Sequence, residues 1–213
     1  MKLPIRNLLK KQVQVELAEL QDEVCEIMYI VCPEAVFHGG TAIWRCYSGN
    51  RFSEDLDFYA QISDSFEECL FSETKKRGLI VSKFRKTENN IFAKISNGRT
   101  EVSLEIAKRK KTNTILAQYE KTNGSFINVF SLSREGLIIE KASAFLNRKL
   151  IRDIYDVYFL SSLADMTKIK NELRDFALKA PLPVDEKNLK TLLYSGVVPT
   201  FEQMLSAIKR RIL

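Results

Sequence analysis

Asp55 and Asp57 stand two positions apart in the stretch Ser53-Glu54-Asp55-Leu56-Asp57-Phe58-Tyr59. On a β-strand that spacing puts both carboxylates on one face, roughly 6–7 Å apart along the chain. Two such carboxylates can hold a pair of hard divalent cations, and magnesium prefers carboxylate, water and phosphate oxygens. A two-metal site of this kind activates one oxygen and stabilises the leaving one. Just upstream lie Gly39, Gly40 and Thr41. A Gly-Gly turn at a helix start exposes backbone N–H groups without Cβ obstruction, and the helix dipole there favours negative charge. The order strand, Gly-Gly turn, short helix, Asp-x-Asp strand therefore sets a phosphate seat beside a metal site.

A second chemistry-bearing segment runs from Glu140 to Leu160, EKASAFLNRKLIRDIYDVYFL. At about 100° per residue on a continuous helix, Lys141, Arg148, Arg152 and Tyr155 fall on one narrow stripe bordered by Asp156, with Asp153 further round. Leu146, Leu150, Ile154 and Val157 form a separate apolar stripe for packing. Lysine and arginine on such a face can hold triphosphate oxygens and offset charge on a leaving pyrophosphate. A surface helix laced with ion pairs reads equally well, because Arg152–Asp156 and Lys149–Asp153 are each four apart.

The elements that must position these groups are legible from periodicity. Ile5 to about Val31 carries apolar residues at three- and four-residue spacing and is predicted helical, ended by Pro33. Ala35-Val36-Phe37 is a short strand, Thr41 to Tyr47 a short helix, Leu56 to Tyr59 a second strand, and 64–77 a helix closed by Gly78. Leu79–Phe84 and Ile91–Ser96 are strand-like. Asn97-Gly98 signals a hairpin, and Glu101–Ile106 alternates strictly, with Glu101, Ser103 and Glu105 on the polar face. From Leu132 onward the pattern is helical, with Ser133 as a cap, a helix or helix pair through Leu163, another helix over 165–179, a break at Pro181 and Pro183, and closing helices near 185–194 and 200–212.

The chain has 213 residues, 45% hydrophobic and 28% charged, with a net charge of +6. That composition suits a globular α+β protein with a true core. An anionic partner is allowed by the charge, not demanded by it. No stretch reaches the roughly 18 apolar residues of a membrane span, and the N-terminus does not read as a signal peptide, so a cytoplasmic location without membrane contact is expected. Cys25, Cys32, Cys46 and Cys69 form no C-x-x-C pair and accompany a single histidine, His38, which argues against zinc and for reduced thiols.

The segment GGTAIWRCYSGNRFSEDLDF closely resembles the first motif of the AbiEii/AbiGii toxin nucleotidyltransferases of the DNA polymerase β-like superfamily, and Lys141 with the following R-D-x-x-D stretch resembles their later motifs. Together these cover most of residues 37–160. The resemblance implies a polymerase β-like mixed sheet with flanking helices over 1–130, and a C-terminal helical lobe over 131–213 contributing Lys141 and Asp156. It implies Gly39, Gly40 and Thr41 at the phosphates, Asp55 and Asp57 on metal, Lys141 on nucleotide phosphates, and one essential helical aspartate. Helical geometry favours Asp156, leaving Asp153 to orient an arginine. Arg51 either supports the loop or touches phosphate, with Arg148 and Arg152 as further nucleotide-binding candidates, and Ser53 holds the turn. The superfamily adds a third carboxylate from a later strand, for which Glu105 is the candidate and Glu101 the reserve. Trp44, where the family often has a smaller aliphatic residue, is either core or a base-stacking platform, with core favoured. The implied chemistry is magnesium-dependent transfer of a nucleoside monophosphate from a nucleoside triphosphate to an acceptor hydroxyl, with two Mg2+ ions and Mn2+ as a substitute. The implied acceptor is the tRNA 3′ end, and the implied role is a toxin restrained by an antitoxin. Two other readings remain open: a non-catalytic nucleotide- or RNA-binding module, and an enzyme that modifies a protein or a small molecule such as an aminoglycoside.

Overall fold

The computed structural model describes residues 3–110 and 113–212. Two compact units divide it. One holds the residues up to Cys46 together with Ser53–Ser131; the other holds Tyr47–Phe52 together with the chain from Leu132 onward.

The first unit opens with two helices, α1 (Ile5–Leu8) and α2 (Gln12–Val31), where one continuous helix is predicted. Leu9 adopts an extended conformation and ends α1, and the second helix starts after Lys11. Then follow β1 (Val36–His38), α3 (Gly39–Cys46), β2 (Leu56–Tyr59), α4 (Phe66–Lys76), β3 (Ile80–Lys86), β4 (Asn90–Ser96), β5 (Glu101–Ala107), β6 (Thr114–Glu120) and β7 (Phe126–Leu132). The strands form one mixed sheet in the order β3-β4-β5-β2-β1-β7-β6. β1 runs antiparallel to β2 and parallel to β7, and β2 runs parallel to β5. Strand alternation explains the core. Phe37, Phe58, Leu104 and Ile106 face α2 and α4, where they bury against Val24, Met28, Phe66 and Leu70. The partners His38, Asp57 and Glu105 belong to the opposite face. β6 and β7 lie in a stretch with no strand predicted.

Trp44 is 1% exposed and packs in the core. Beside it the buried Arg45 forms an ion pair with Asp22 at 2.9 Å and stands 4.3 Å from the Trp44 ring centroid. The same Asp22 carboxylate accepts hydrogen bonds from Tyr119 and Thr122, so the buried acid is well supplied with partners, while Arg45 Nε has no hydrogen-bond partner among the described residues.

The second unit is helical: α5 (Arg134–Arg148), α6 (Ile151–Ser161), α7 (Lys170–Lys179), α8 (Leu189–Leu192) and α9 (Phe201–Ile212). Ser133 caps α5 by accepting from the Gly136 amide at 3.1 Å. Lys149, in the left-handed conformation at φ +57°, ends α5 and turns the chain into α6. Phe145, Ile154, Leu160, Phe176, Met204 and Ile208 fill its core. No helix among the described residues is long and apolar enough to cross a membrane.

Candidate functional site

In the first unit, the site grows from the junction of β1, α3 and β2. His38 is the register partner of Asp57, and Asp57 in turn is the partner of Glu105 on β5. A row of His38, Asp57 and Glu105 therefore crosses three adjacent strands on the face away from the core. Gly39 follows His38 at φ +76°, a conformation L side chains rarely adopt. A Cβ built there would lie 2.0 Å from Asp57 Oδ2. The carboxylate thus rests against bare backbone at the first turn of α3, where helix N–H groups have no intrahelical acceptor. Gly39 and Gly40 are both buried.

Asp55 precedes β2 and is solvent-exposed, whereas Asp57 is half-buried. Two side chains hold the loop that carries Asp55. Thr41 Oγ1 donates to the Asp55 carbonyl at 2.6 Å, and Gln21 Nε2 donates to the carbonyls of Ser53 and Glu54 at 2.9 and 2.8 Å. Gln21 is absent from the sequence reading. Its only trace there is a polar side chain on the apolar stripe of α2, between Leu20 and Val24.

Glu105 has its pKa raised, first by partial burial and then by the neighbouring Asp57 and Asp55 carboxylates, with His38 opposing. Crowded carboxylates of this sort favour either a proton or a cation among them. Glu101, the reserve candidate, is committed elsewhere: it accepts from Lys94 at 2.6 Å and from Ser82. Among the described residues no three His, Cys, Asp or Glu side chains stand ready as a complete metal cage. The donor set still fits magnesium, which keeps several waters and takes one or two carboxylates plus substrate phosphates.

In the second unit, Lys141, Arg148, Asp153 and Asp156 form a network with Arg51. Arg51 donates to both Asp156 oxygens, Nε to Oδ1 at 2.9 Å and Nη2 to Oδ2 at 2.8 Å. Lys141 Nζ lies 3.2 Å from Asp156 and 3.7 Å from Asp153. Arg148 grips Asp153 through two bonds of 2.6 and 2.7 Å. The stripe predicted on one continuous helix is corrected: because the chain turns at Lys149, Lys141 and Arg148 lie on α5 while Arg152 and Tyr155 lie on α6. The i,i+4 pairs expected of Arg152–Asp156 and Lys149–Asp153 give way to Arg51–Asp156 and Arg148–Asp153, and Leu146 is 41% exposed rather than part of the packing stripe. Arg152 is half-buried, and its Nε has no hydrogen-bond partner. Burial works against the Asp156 carboxylate, but Arg51 and Lys141 outweigh it and hold its pKa below the usual aspartate range.

The segment 47–52 is bound into this unit by more than Arg51. Phe52 N donates to Leu192 O at 3.0 Å, Tyr194 N to Asn50 O at 3.2 Å, and Tyr155 Oη bonds the Asn50 side chain.

A family model described as "Nucleotidyl transferase AbiEii toxin, Type IV TA system" matches residues 30–195. The chain belongs to that family of nucleotidyltransferase enzymes. Among solved structures it is similar to JHP933 from Helicobacter pylori, at 19% identity and TM-score 0.67, over 96% of this chain and 92% of that one. It is also similar to MenT4, a nucleotidyltransferase toxin from Mycobacterium tuberculosis H37Rv, at 18% identity and TM-score 0.62, over 94% and 82% of the two chains. A nucleotidyltransferase-type fold is what these likenesses show. No curated protein matches the chain.

Proposed function

We propose that Asp55, Asp57 and Glu105 hold two magnesium ions, with manganese as a substitute, and that the enzyme transfers a nucleoside monophosphate from a nucleoside triphosphate to an acceptor hydroxyl. The observation that carries this reading is the Asp57 carboxylate pressed against Gly39, with Glu105 as its neighbour in register. When bound, the metal supplies charge stabilisation for the attacking and leaving oxygens. The chain's own residues do the positioning. Gly39 and Gly40 give the phosphates a backbone without side chains at the start of α3. Thr41 serves that seat through its grip on the Asp55 carbonyl, and Gln21 fixes the same loop from α2. Preorganised loops of this kind supply the proximity and electrostatic terms that dominate phosphoryl-type transfers.

Lys141 takes the role of phosphate contact, with Arg148 and Arg152 as supporting cations. Asp153 orients Lys141 and Arg148. Asp156 is the helical aspartate on which activity depends, because it locks Arg51 and pairs with Lys141. The acceptor is the 3′ end of tRNA, and the protein acts in the cytoplasm as a toxin restrained by a cognate antitoxin. The family's description as a type IV toxin supports the toxin role and the antitoxin, and the net charge of +6 supports a nucleic-acid acceptor.

The test is incubation of the full chain with radiolabelled nucleoside triphosphates, total tRNA and magnesium. Label enters tRNA with the wild type, disappears with a chelator, and is lost in Asp57→Ala. Binding of nucleotide or RNA without any label transfer, or transfer that survives Asp57→Ala, overturns the reading.

A further inference from the structure

Asp57 stands near the start of β2, and Tyr59 ends the strand on the same face two residues later. There the first unit opens into a cavity of about 500 Å3. Its walls come from the strands that flank β2. On the β1 side stand Cys32 and Glu34; on the β5 side stand Arg109 and Lys110; Tyr59 and Gln61 come from β2 itself and the turn after it. Phe130, 40% exposed, adds an aromatic edge.

Arg109 is already ordered in this cavity. Its Nη2 donates to Tyr59 Oη at 2.7 Å, and its guanidinium carbon lies 4.4 Å from the Tyr59 ring centroid. Tyr59 also stacks on His38, whose ring is parallel to it within 6° at 3.8 Å. Among the described residues no carboxylate forms an ion pair with Arg109. A cation fixed in this way binds an anion without the usual cost of ordering a long side chain. Glu34 on the opposite wall repels phosphate but accepts hydrogen bonds from an exocyclic amine, as does the Gln61 side-chain oxygen. The column of His38, Tyr59 and Arg109 runs from the register partner of Asp57 to the cavity.

The geometry points to a subsite for one nucleoside phosphate unit, the phosphate on Arg109 and Lys110 and the base edge toward Glu34 and Gln61. It rests on the nucleotidyl-transfer reading in one respect: the unit belongs to the acceptor strand, lying beside the nucleotide that Asp57 serves. The volume suits this ligand, since small-molecule pockets run from about 300 to 1,000 Å3. The same chemistry is offered by single-stranded RNA and by a free nucleotide.

Fluorescence anisotropy of the full chain with a labelled single-stranded oligoribonucleotide, in chelator, tests it. Arg109→Ala weakens binding about tenfold or more, the loss expected for one charge-assisted group. Arg109→Lys recovers part of it, because lysine keeps the charge without the planar fork. Asp57→Asn does not weaken binding. Competition by adenosine monophosphate separates the sources: full displacement at matched concentration assigns the subsite to free nucleotides, and failure to displace assigns it to the strand. Should Arg109→Ala melt below the wild type, the exposed Lys110→Ala repeats the measurement and is expected to weaken binding severalfold. Equal affinity in the wild type and in a fully folded Arg109→Ala or Lys110→Ala chain overturns the subsite. Binding that depends on Arg109 in a protein that transfers no label sinks the enzyme reading and leaves the subsite standing.

Discussion

Gly39 joins backbone conformation to chemistry in a single residue. Its φ of +76° alone disfavours any side chain, by roughly 1–2 kcal/mol. The second constraint is steric, because a methyl group would meet Asp57 Oδ2 at 2.0 Å and the neighbour it displaces is the carboxylate proposed to hold metal. Gly39→Ala is therefore expected to leave the far-UV circular dichroism of the wild type intact and to lower label transfer about 100-fold, the scale of a misplacement of an ångström. A Gly39→Ala chain that transfers at the wild-type rate would remove the Gly39–Asp57 apposition from the mechanism. At this scale the sequence was informative where residue type and local spacing decide: Asp55, Asp57 and the Gly-Gly pair are neighbours along the chain. Gln21 was invisible because its partners Ser53 and Glu54 lie more than thirty residues away, and a buried glutamine in a helix gives no hint of which carbonyls it will find. Arg51 was readable as important but not as the bidentate partner of Asp156, a contact 105 residues distant.

Between elements, register carries the information that periodicity lacks. The alternation of Glu101, Ser103 and Glu105 identified β5 and its polar face, but only the parallel pairing with β2 sets Glu105, and not Glu101, beside Asp57. β6 escaped detection because it is an edge strand: Ile115 and Leu116 are both exposed, so the apolar-polar alternation is broken. The turn at Lys149 was equally silent, since a lysine at positive φ leaves no mark of the glycine kind. Its consequence is electrostatic. Asp156 on α6 meets Lys141 on α5 and Arg51 on the segment 47–52, and its carboxyl is held below the ordinary aspartate range against the opposing effect of burial. A carboxylate with a depressed folded-state pKa stabilises the protein above its unfolded-state pKa, about 3.9, and that contribution fades as pH falls through the lowered value. Asp156→Asn should therefore flatten the acid limb of the melting temperature plotted against pH. At neutral pH the same variant should melt lower, because Arg51 loses its charge partner and Lys141 keeps only the more distant Asp153, a loss of about 3–5 kcal/mol for a buried pair. Thermal melts of both proteins from neutral pH into the acid range check both effects, and an acid limb unchanged by the substitution would count against the assignment.

On the scale of the whole chain, the division into units does not follow the division of the sequence. Composition suggests a cut near residue 130, with an α/β part before it and helices after. The helical unit nevertheless includes Tyr47–Phe52, which the chain reaches well before β7. Any contiguous reading of composition misses this, because six residues without regular periodicity carry no signal of where they will pack. Within the unit they supply Arg51 to Asp156, pair Phe52 and Asn50 with Leu192 and Tyr194, and bond Tyr155 through Asn50. A fragment of residues 132–213 is thus expected to lack a buried cation that Asp156 requires. The deficit of about 3–5 kcal/mol is a large share of the 5–15 kcal/mol that stabilises a typical native protein. Such a fragment should keep helical far-UV circular dichroism yet lose near-UV signal and melt without a cooperative transition. Joining residues 47–52 to its N-terminus through a flexible linker should restore a sigmoidal melt, whereas the same joined segment carrying Arg51→Ala should not. A sharp cooperative melt of the bare fragment would mean that Asp156 needs no cation from outside residues 132–213, and that Arg51 is held by the helical unit without helping to hold it together.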